Sequence, residues 1–390
     1  MTLRWLTAGE SHGPCLLTIV DGVPAGLPLD EQELAVDLKR RQGGYGRGGR
    51  MKIESDRAEI TSGVAKGLTT GGPIGLRVEN KDWPNWKDKE VPPFTKPRPG
   101  HADLAGAYKY GHFDDMRLVL ERASARETTM RVAVGAIAKK LLGTFGIAVR
   151  SQVLRIGSVA TAGGDLSDLE VVARVEASSV RVADPAVEER MRAAIDAARG
   201  LHETLGGAFE AVGLGVMPGL GSHVQWDRKL DGVLAQAFMC IHAIKAVAIG
   251  DGFTVGELYG TRAHDGMRFD DGRVVRLSNH AGGLEGGITN GEPVVVRAIK
   301  KPISTTAAPQ PTVDLATGED SAHQYERSDV CAVPAAAVIG EAMLAIVLAD
   351  AFLTKFGGDS LEEIRPRVAA YVRQLRYWRP GEELVAALSG

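Results

Sequence analysis

The chain has 390 residues, with 46 basic and 49 acidic side chains and a formal net charge of −3. That near-balance excludes bulk charge as a basis for nucleic-acid binding, though not a local basic cluster. Apolar residues at 44% suffice for a sizeable core, aromatics at only 5% require it to be built from Ala, Val, Leu and Ile, and 48 glycines without a G-x-y period indicate many turns and exclude collagen.

In chain order, the first strand runs from Leu16 to Val20. A helix near 30–41 follows, opened by Asp30 three residues before Glu33, the spacing of a capping box. Strands at Ala58–Thr61 and Ile74–Val78 come next. The segment from Lys81 to Pro99 holds Trp83, Pro84, Trp86, Pro92, Pro93 and Pro97, which excludes a regular element and marks a functional loop. A helix over 125–143 begins at Ser124, again with an acid, Glu127, three residues on. Asp184-Pro185 opens a helix over 185–199, where the missing proline N–H costs nothing. A strand at Ala208–Val216, a helix over 229–245 and a strand at Val294–Ile299 follow. Helices over 334–356 and 360–376, the latter capped by Ser360 with Glu363, end the pattern. This is not the strict alternation of a doubly wound parallel sheet.

The most apolar stretch, Val330 to Leu353, contains Glu341 and Asp350, which predicts a buried helix rather than a membrane span. Cys15, Cys240 and Cys331 are too dispersed for a disulfide framework or a zinc site. Glu10 and His12 interrupt the short apolar start, so no signal peptide is expected and a cytoplasmic location is. A weak repeat is visible. Gly22-Val23-Pro24-Ala25-Gly26 and Gly215-Val216-Met217-Pro218-Gly219 each lead to a helix; Gly67–Val78 and Gly286–Ala298 each read as a glycine turn and strand; Glu121-Arg122 and Glu326-Arg327 each open a long apolar helix. Two halves, roughly 1–150 and 200–356, would then pack about a pseudo-twofold axis.

Gly44-Tyr45-Gly46-Arg47-Gly48-Gly49 matches G-x-G-x-x-G, but a helix precedes it and Arg50-Met51-Lys52 follows, the wrong context for a dinucleotide fingerprint. Arg40, Arg41, Arg47 and Arg50 can instead converge on an anion, or form a solvated basic loop. Arg98-Pro99-Gly100-His101-Ala102-Asp103 sets an imidazole near a carboxylate in a rigid turn, and Gly9-Glu10-Ser11-His12-Gly13 offers a second turn histidine. Either suits proton transfer near neutrality, or is merely structural. Arg122-Ala123-Ser124-Ala125-Arg126-Glu127 puts two arginines and a serine at a helix start, an anion seat or an ordinary cap. Lys301-Pro302-Ile303-Ser304-Thr305-Thr306 ends a strand with a cation and hydroxyls that suit a phosphate, and Asp329 opens the last long helix as an acid or a simple cap. The residues alone indicate a small, strongly anionic, phosphate-bearing ligand and proton transfers, with no metal.

Six of these segments, in this order, resemble the chorismate synthase family: 9–13, 98–103, Ser124-Ala125-Arg126-Glu127-Thr128, Ser278-Asn279-His280-Ala281-Gly282-Gly283, Lys301-Pro302-Ile303-Ser304 and Arg327-Ser328-Asp329. The resemblance spans residue 9 to about 356. It implies one α+β domain over 1–390, with a helical layer between two antiparallel sheets, in a homotetramer. It implies conversion of 5-enolpyruvylshikimate 3-phosphate to chorismate and phosphate by trans-1,4-elimination, the seventh step of the shikimate pathway. That reaction needs reduced FMN without net redox change.

By resemblance, Ser11, Arg41, Arg47, Arg50, Arg98, Ser124, Arg126 and Arg327 bind the substrate. His12 protonates the leaving phosphate, His101 sets the flavin protonation, and Asp329 accepts the proton that leaves C6 by way of flavin N5. FMN is assigned to Arg122, Ala123, Ser124, His242, Ala243, Gly286, Lys301, Pro302, Ile303, Ser304, Thr305 and Arg327. His242 stands where the family usually has Asn or Gln, and Ala246 and Ala248 where it has Gly and Glu. Nothing resembles a nicotinamide site, so an external flavin-reducing system is expected. The alternatives are an NAD(P)H-dependent flavin reductase and a non-catalytic phosphate-metabolite sensor. A nucleic-acid module fits least, because aromatics are sparse and the basic loop is single.

Overall fold

The computed structural model describes residues 2–48, 56–323 and 329–389. Strands β1 (Arg4–Ala8), β2 (Cys15–Asp21), β3 (Ala58–Ser62) and β4 (Ile74–Glu79) form one antiparallel sheet in the order β1-β2-β4-β3. Strands β5 (Ala148–Ile156), β6 (Gly207–Leu214), β7 (Ile244–Ile249) and β8 (Val294–Lys300) form a second. Its order is β7-β8-β6-β5, with Val159–Ala160 at the edge, and all of its pairings are antiparallel. The helices that bear on the site and core are α1 (Glu31–Gln42), α2 (Asp103–Tyr110), α3 (Arg117–Ala123), α4 (Thr128–Gly143), α5 (Pro185–Gly200), α6 (Leu230–Met239), α7 (Val333–Phe356) and α8 (Leu361–Gln374).

One continuous core joins inward residues of both sheets, such as Leu16 and Leu76 from one and Phe209 and Val296 from the other, to α1, α4 and α7. Helix α7 packs on α4 and on β5 and β6; α4 also touches β2, and α1 packs on α4 and β3. The apolar α7 is therefore a core helix, with 89% of its most apolar window buried inside the fold. Its carboxylate Glu341, 1% exposed, is matched by Arg40 at 2.7 Å and Lys139 at 2.6 Å. Burial works to raise the Glu341 pKa, but these cations hold it far below the usual carboxylate range. Arg40 is thus committed to Glu341, Glu176 and Asp37, and is not a member of an anion-binding loop.

Most helix signals hold. The Asp30, Asp184 and Ser360 side chains cap α1, α5 and α8. Ser124 caps Arg126 N–H instead of Glu127, and Glu127 turns to Arg131 and Thr7, so no reciprocal box forms there. Glu121 and Arg122 end α3 rather than opening the long helix; Glu326-Arg327 lies outside the described residues. The helix expected over 229–245 stops at Met239. Ala243 takes a left-handed φ of 66°, and the β-branched run from Ile244 pairs with β8 instead.

The two glycine turns make the same hydrogen bonds. Thr69 Oγ1 donates to Pro24 O and accepts from Leu27 N, while Gly26 N donates to Thr69 O. Thr289 Oγ1 donates to Met217 O and accepts from Leu220 N, while Gly219 N donates to Thr289 O.

Candidate functional site

The turn after β1 is fixed by backbone constraint. Gly9 has φ of 105°, and a Cβ there would stand 2.4 Å from Cys15 O. Asn80, at the end of β4, donates to Ser11 O at 3.2 Å and Gly13 O at 2.8 Å, closing the turn. His12 projects onto α3: its backbone N donates to Glu121 Oε2 at 2.7 Å, and its Nδ1 lies 2.8 Å from Glu121 Oε1. Trp86, from the irregular 81–99 segment, covers the ring with centroids 4.0 Å apart. Burial works to raise the Glu121 pKa, but its bonds to His12 and the charge of Arg117 hold it below its ordinary value. Ser11 Oγ accepts from Ser124 Oγ at 3.1 Å, joining the two serine motifs.

Beneath them lie two arginines, Arg41 at 7% and Arg126 at 8% exposure. Both face buried Asp56, at 3.7 and 3.3 Å. Arg41 also donates to Thr128 Oγ1 and Ala125 O. Arg122, at the end of α3, donates to Thr7 O and Gly9 O across the start of the same turn; Ala123 beside it is exposed. His242 faces this group, feeling Glu127, Arg131, Arg41 and Arg122. Burial pushes its imidazole down, Glu127 opposes and the arginines add to the fall, so the ring is neutral near pH 7. Its Nδ1 is sealed from solvent and has no partner among the described residues.

A second group adjoins through Ala243, whose carbonyl accepts from Lys301 N at 2.9 Å. Arg98 forks onto Asp103 at 2.8 and 3.0 Å, which rigidifies the turn carrying His101. Gly100 packs so closely that a Cβ would stand 2.7 Å from Ser304 Oγ, and its carbonyl accepts from Lys301 Nζ and Ser304 Oγ. Thr305 Oγ1 lies 3.1 Å from His101 Nε2, and Pro99 O lies 3.4 Å from Nδ1. Pro302 is exposed, and Ile303 O is held by Thr204 Oγ1 at 2.6 Å.

Burial and Arg98 push His101 down to about 4, against the opposing pull of Asp103. His101 is therefore neutral at working pH, a hydrogen-bonding group rather than a charged acid. Because its folded value lies below the ordinary 6.5, protonation favours the unfolded chain: this group's contribution to stability falls as pH drops from 6.5 toward about 4. Arg98→Ala removes a cation and frees the Asp103 carboxylate, so the His101 imidazole, followed by NMR titration, is expected to titrate higher. An unchanged titration would refute this electrostatic account.

A third group closes the site. Arg47 NH1 pairs with Asp329 Oδ2 at 3.0 Å, and Gly48 N donates to Asp329 Oδ1 at 2.7 Å. Tyr45, bonded to Asp196 and packed against Arg192, anchors the loop.

The structure thus unites Ser11, His12, Arg41, Arg122, Ser124, Arg126 and His242; links them to His101, Arg98, Lys301, Ser304 and Thr305; and sets Arg47 on Asp329. Arg50 and Arg327 lie outside the described residues. Gly286 does not join the rest within one chain. It lies in the 284–289 hairpin before β8, while Lys301 follows the far end of that strand, about 20 Å away for its length. Ala246 and Ala248 lie along β7, paired with Ile299 and Arg297 of β8; Arg297 finds its carboxylates in Glu210 and Asp251. Glu121 and Asp56 were not legible as site residues, because their partners are distant in sequence and no spacing announces them.

The cradle suits a phosphate-bearing ligand. It combines an unpartnered, sealed His242 Nδ1, a cation with hydroxyls at Lys301, Ser304 and Thr305, and the exposed Arg122. No His/Cys/Asp/Glu group that could hold a metal occurs among the described residues.

The family model described as chorismate synthase matches residues 3–353. The chorismate synthase of Moorella thermoacetica is 53% identical, with 96% of this chain and 99% of that relative aligned. That of Aquifex aeolicus is 51% identical, over 96% and 98%. A crystal structure of a chorismate synthase matches with TM-score 0.78 and 41% identity, covering 100% of this chain and 99% of that one.

Proposed function

The chain belongs to the chorismate synthase family, and from that premise we propose that it eliminates phosphate from 5-enolpyruvylshikimate 3-phosphate to give chorismate, using reduced FMN without net redox change. One observation carries the reading: His12, backed by Glu121, adjoins the Ser11–Ser124 pair and the buried Arg41–Arg126 pair. A proton source beside a positive seat is the arrangement that phosphate departure calls for.

The substrate brings about four negative charges at neutral pH, from one phosphate and two carboxylates. Arg41, Arg47, Arg98 and Arg126, with Ser11 and Ser124, receive them; Arg50 and Arg327 complete the proposed set. His12, held by Glu121 through Nδ1, presents Nε2 to the departing phosphate as its acid. Arg122, Ala123, Ser124, His242, Ala243, Lys301 to Thr305 and Arg327 would hold FMN, with His101 beside its ring system. Bound there, reduced FMN would supply transient electron density to the allylic system with no net redox change. Asp329 takes up the released proton on a carboxylate oxygen.

The same reading carries a homotetramer, a cytoplasmic location, an external source of reduced flavin, and a single domain with its helices layered between the two antiparallel sheets. The matched bonds of Thr69 and Thr289 support an internal duplication. The test is anaerobic: protein, 5-enolpyruvylshikimate 3-phosphate and chemically reduced FMN, with phosphate release and chorismate absorbance followed together. Turnover that disappears with oxidised FMN is expected; tight binding of both ligands without turnover would refute the elimination.

His242 gives a separate expectation. An imidazole nitrogen can replace the single amide hydrogen bond of the usual Asn or Gln. In an anaerobic titration, His242→Asn should hold reduced FMN within about threefold of the parent, and His242→Ala should lose about tenfold, the worth of one hydrogen bond. Equal affinity of the alanine variant would remove His242 from the flavin site.

A further inference from the structure

His323 has no role in the site described above, yet both of its ring nitrogens are committed. It is 7% exposed and stands at the base of a hairpin in which Pro311–Asp314 pairs with Glu319–Ala322. Its main chain continues that ladder, with His323 N donating to Gln310 O at 3.0 Å. Gln310 N lies 2.8 Å from the ring Nδ1, and Thr306 O lies 3.0 Å from Nε2. A main-chain N–H can only donate and a carbonyl can only accept. Nδ1 is therefore the acceptor and Nε2–H the donor, one tautomer that the two bonds fix together. Thr204 Oγ1 holds Ile303 O at 2.6 Å, so Ser304 and Thr305 are framed by two main-chain anchors.

The same hairpin grips the other side of the site. Thr312 Oγ1 donates to Pro97 O at 2.5 Å, Leu315 N donates to Thr95 O at 3.1 Å, and Lys96 pairs with Asp314 at 3.8 Å. Leu315 also packs on the small cluster of Phe94, Ala107, Met116 and Leu120. Residues 94–97 lead straight into the Arg98–Asp103 turn that carries His101, and Thr306 directly follows Thr305. The 3.1 Å contact between Thr305 Oγ1 and His101 Nε2 thus joins two loops 204 residues apart, one held from the hairpin's base and the other from its tip.

We propose that the 311–322 hairpin is a brace that sets His101 against Thr305, and that His323 is the positioning residue tying this brace to the 301–306 segment. The inference deepens the proposed function, on which it rests for the assignment of FMN to that segment. Thr306 O is one residue from the hydroxyl that meets His101, so anchoring it through Nε2 limits where Thr305 Oγ1 can stand.

The test is a pair of substitutions in the full chain that each keep one bond. His323→Gln carries an amide N–H to the Nε2 position and loses the Gln310 contact; His323→Asn carries an oxygen to the Nδ1 position and loses the Thr306 contact. Both should melt below the parent by similar amounts, and two readouts should separate them. With histidine labelled by nitrogen-15 and no flavin present, the His101 Nε2 signal should keep its parent position in His323→Gln and move in His323→Asn. Affinity for reduced FMN, titrated without oxygen, should stay within about twofold in His323→Gln and fall about three- to tenfold in His323→Asn, the worth of one hydrogen bond. A His101 signal unmoved in His323→Asn, a signal moved equally in both variants, or parent-like FMN affinity in His323→Asn overturns the proposal. If His323→Asn does not fold, Thr312→Val decides: it cuts the brace from Pro97 O and should move the same His101 signal, and a parent-like position overturns the proposal. A parent that does not bind reduced FMN would refute the proposed function instead, and the His101 signal alone then judges the brace.

Discussion

His12→Ala is expected to lower turnover of 5-enolpyruvylshikimate 3-phosphate by about 10²–10⁴-fold, the range for removing a positioned general acid, while reduced FMN binds as in the parent. The geometry explains both parts. Glu121 engages Nδ1 at 2.8 Å and the His12 backbone N at 2.7 Å, so the ring has one orientation, and Trp86 closes over it. Nε2 is the nitrogen left to deliver a proton. Burial works to raise the Glu121 pKa, but its bonds to His12 hold it below its ordinary value. Glu121→Gln keeps the shape and removes the charge, so it should lower turnover less than His12→Ala does. If His12 were a structural partner of α3 alone, its loss would lower the melting temperature and leave turnover per folded enzyme intact. Steady-state kinetics on material of verified fold separates these outcomes.

Elements with local punctuation were legible in the sequence. Asp30, Asp184 and Ser360 announced their helices because a cap is a short-range contact, and β2, β4 and β8 were legible from runs of β-branched and apolar residues. Strand β5 was not, because Ala148–Ile156 mixes Arg150, Ser151, Gln152 and Arg155 with its apolar residues. Gln152 and Ser151 are buried only because Glu210 and Glu341 receive them, partners far along the chain. The 229–245 stretch misled for a related reason: its apolar residues suit a helix or a strand, and pairing with β8 decides at Ile244. The site shows the same division. Turn motifs located His12, His101 and Arg98, whereas Glu121, which holds His12, and Asp56, which faces Arg41 and Arg126, are fixed by tertiary packing.

Asp329→Asn and Arg47→Ala are expected to fail in opposite ways, though the two side chains touch. Asparagine retains an oxygen for Gly48 N–H, so the junction between the glycine loop and α7 survives, but the charge and the proposed proton acceptor go. That variant should lose kcat by about 10²-fold or more with a modest change in KM, the signature of an interaction used in the transition state. Arg47→Ala keeps the acceptor and removes a cation assigned to the substrate. Its loss should fall mainly on KM, raised by about 10-fold or more, as for a charge-assisted hydrogen bond to an anion. The two losses should not add in the double variant, because each single change already breaks the 3.0 Å pair. Should Asp329→Asn instead raise KM as Arg47→Ala does and spare kcat, Asp329 would be a latch for the loop and the proton acceptor would have to be sought elsewhere.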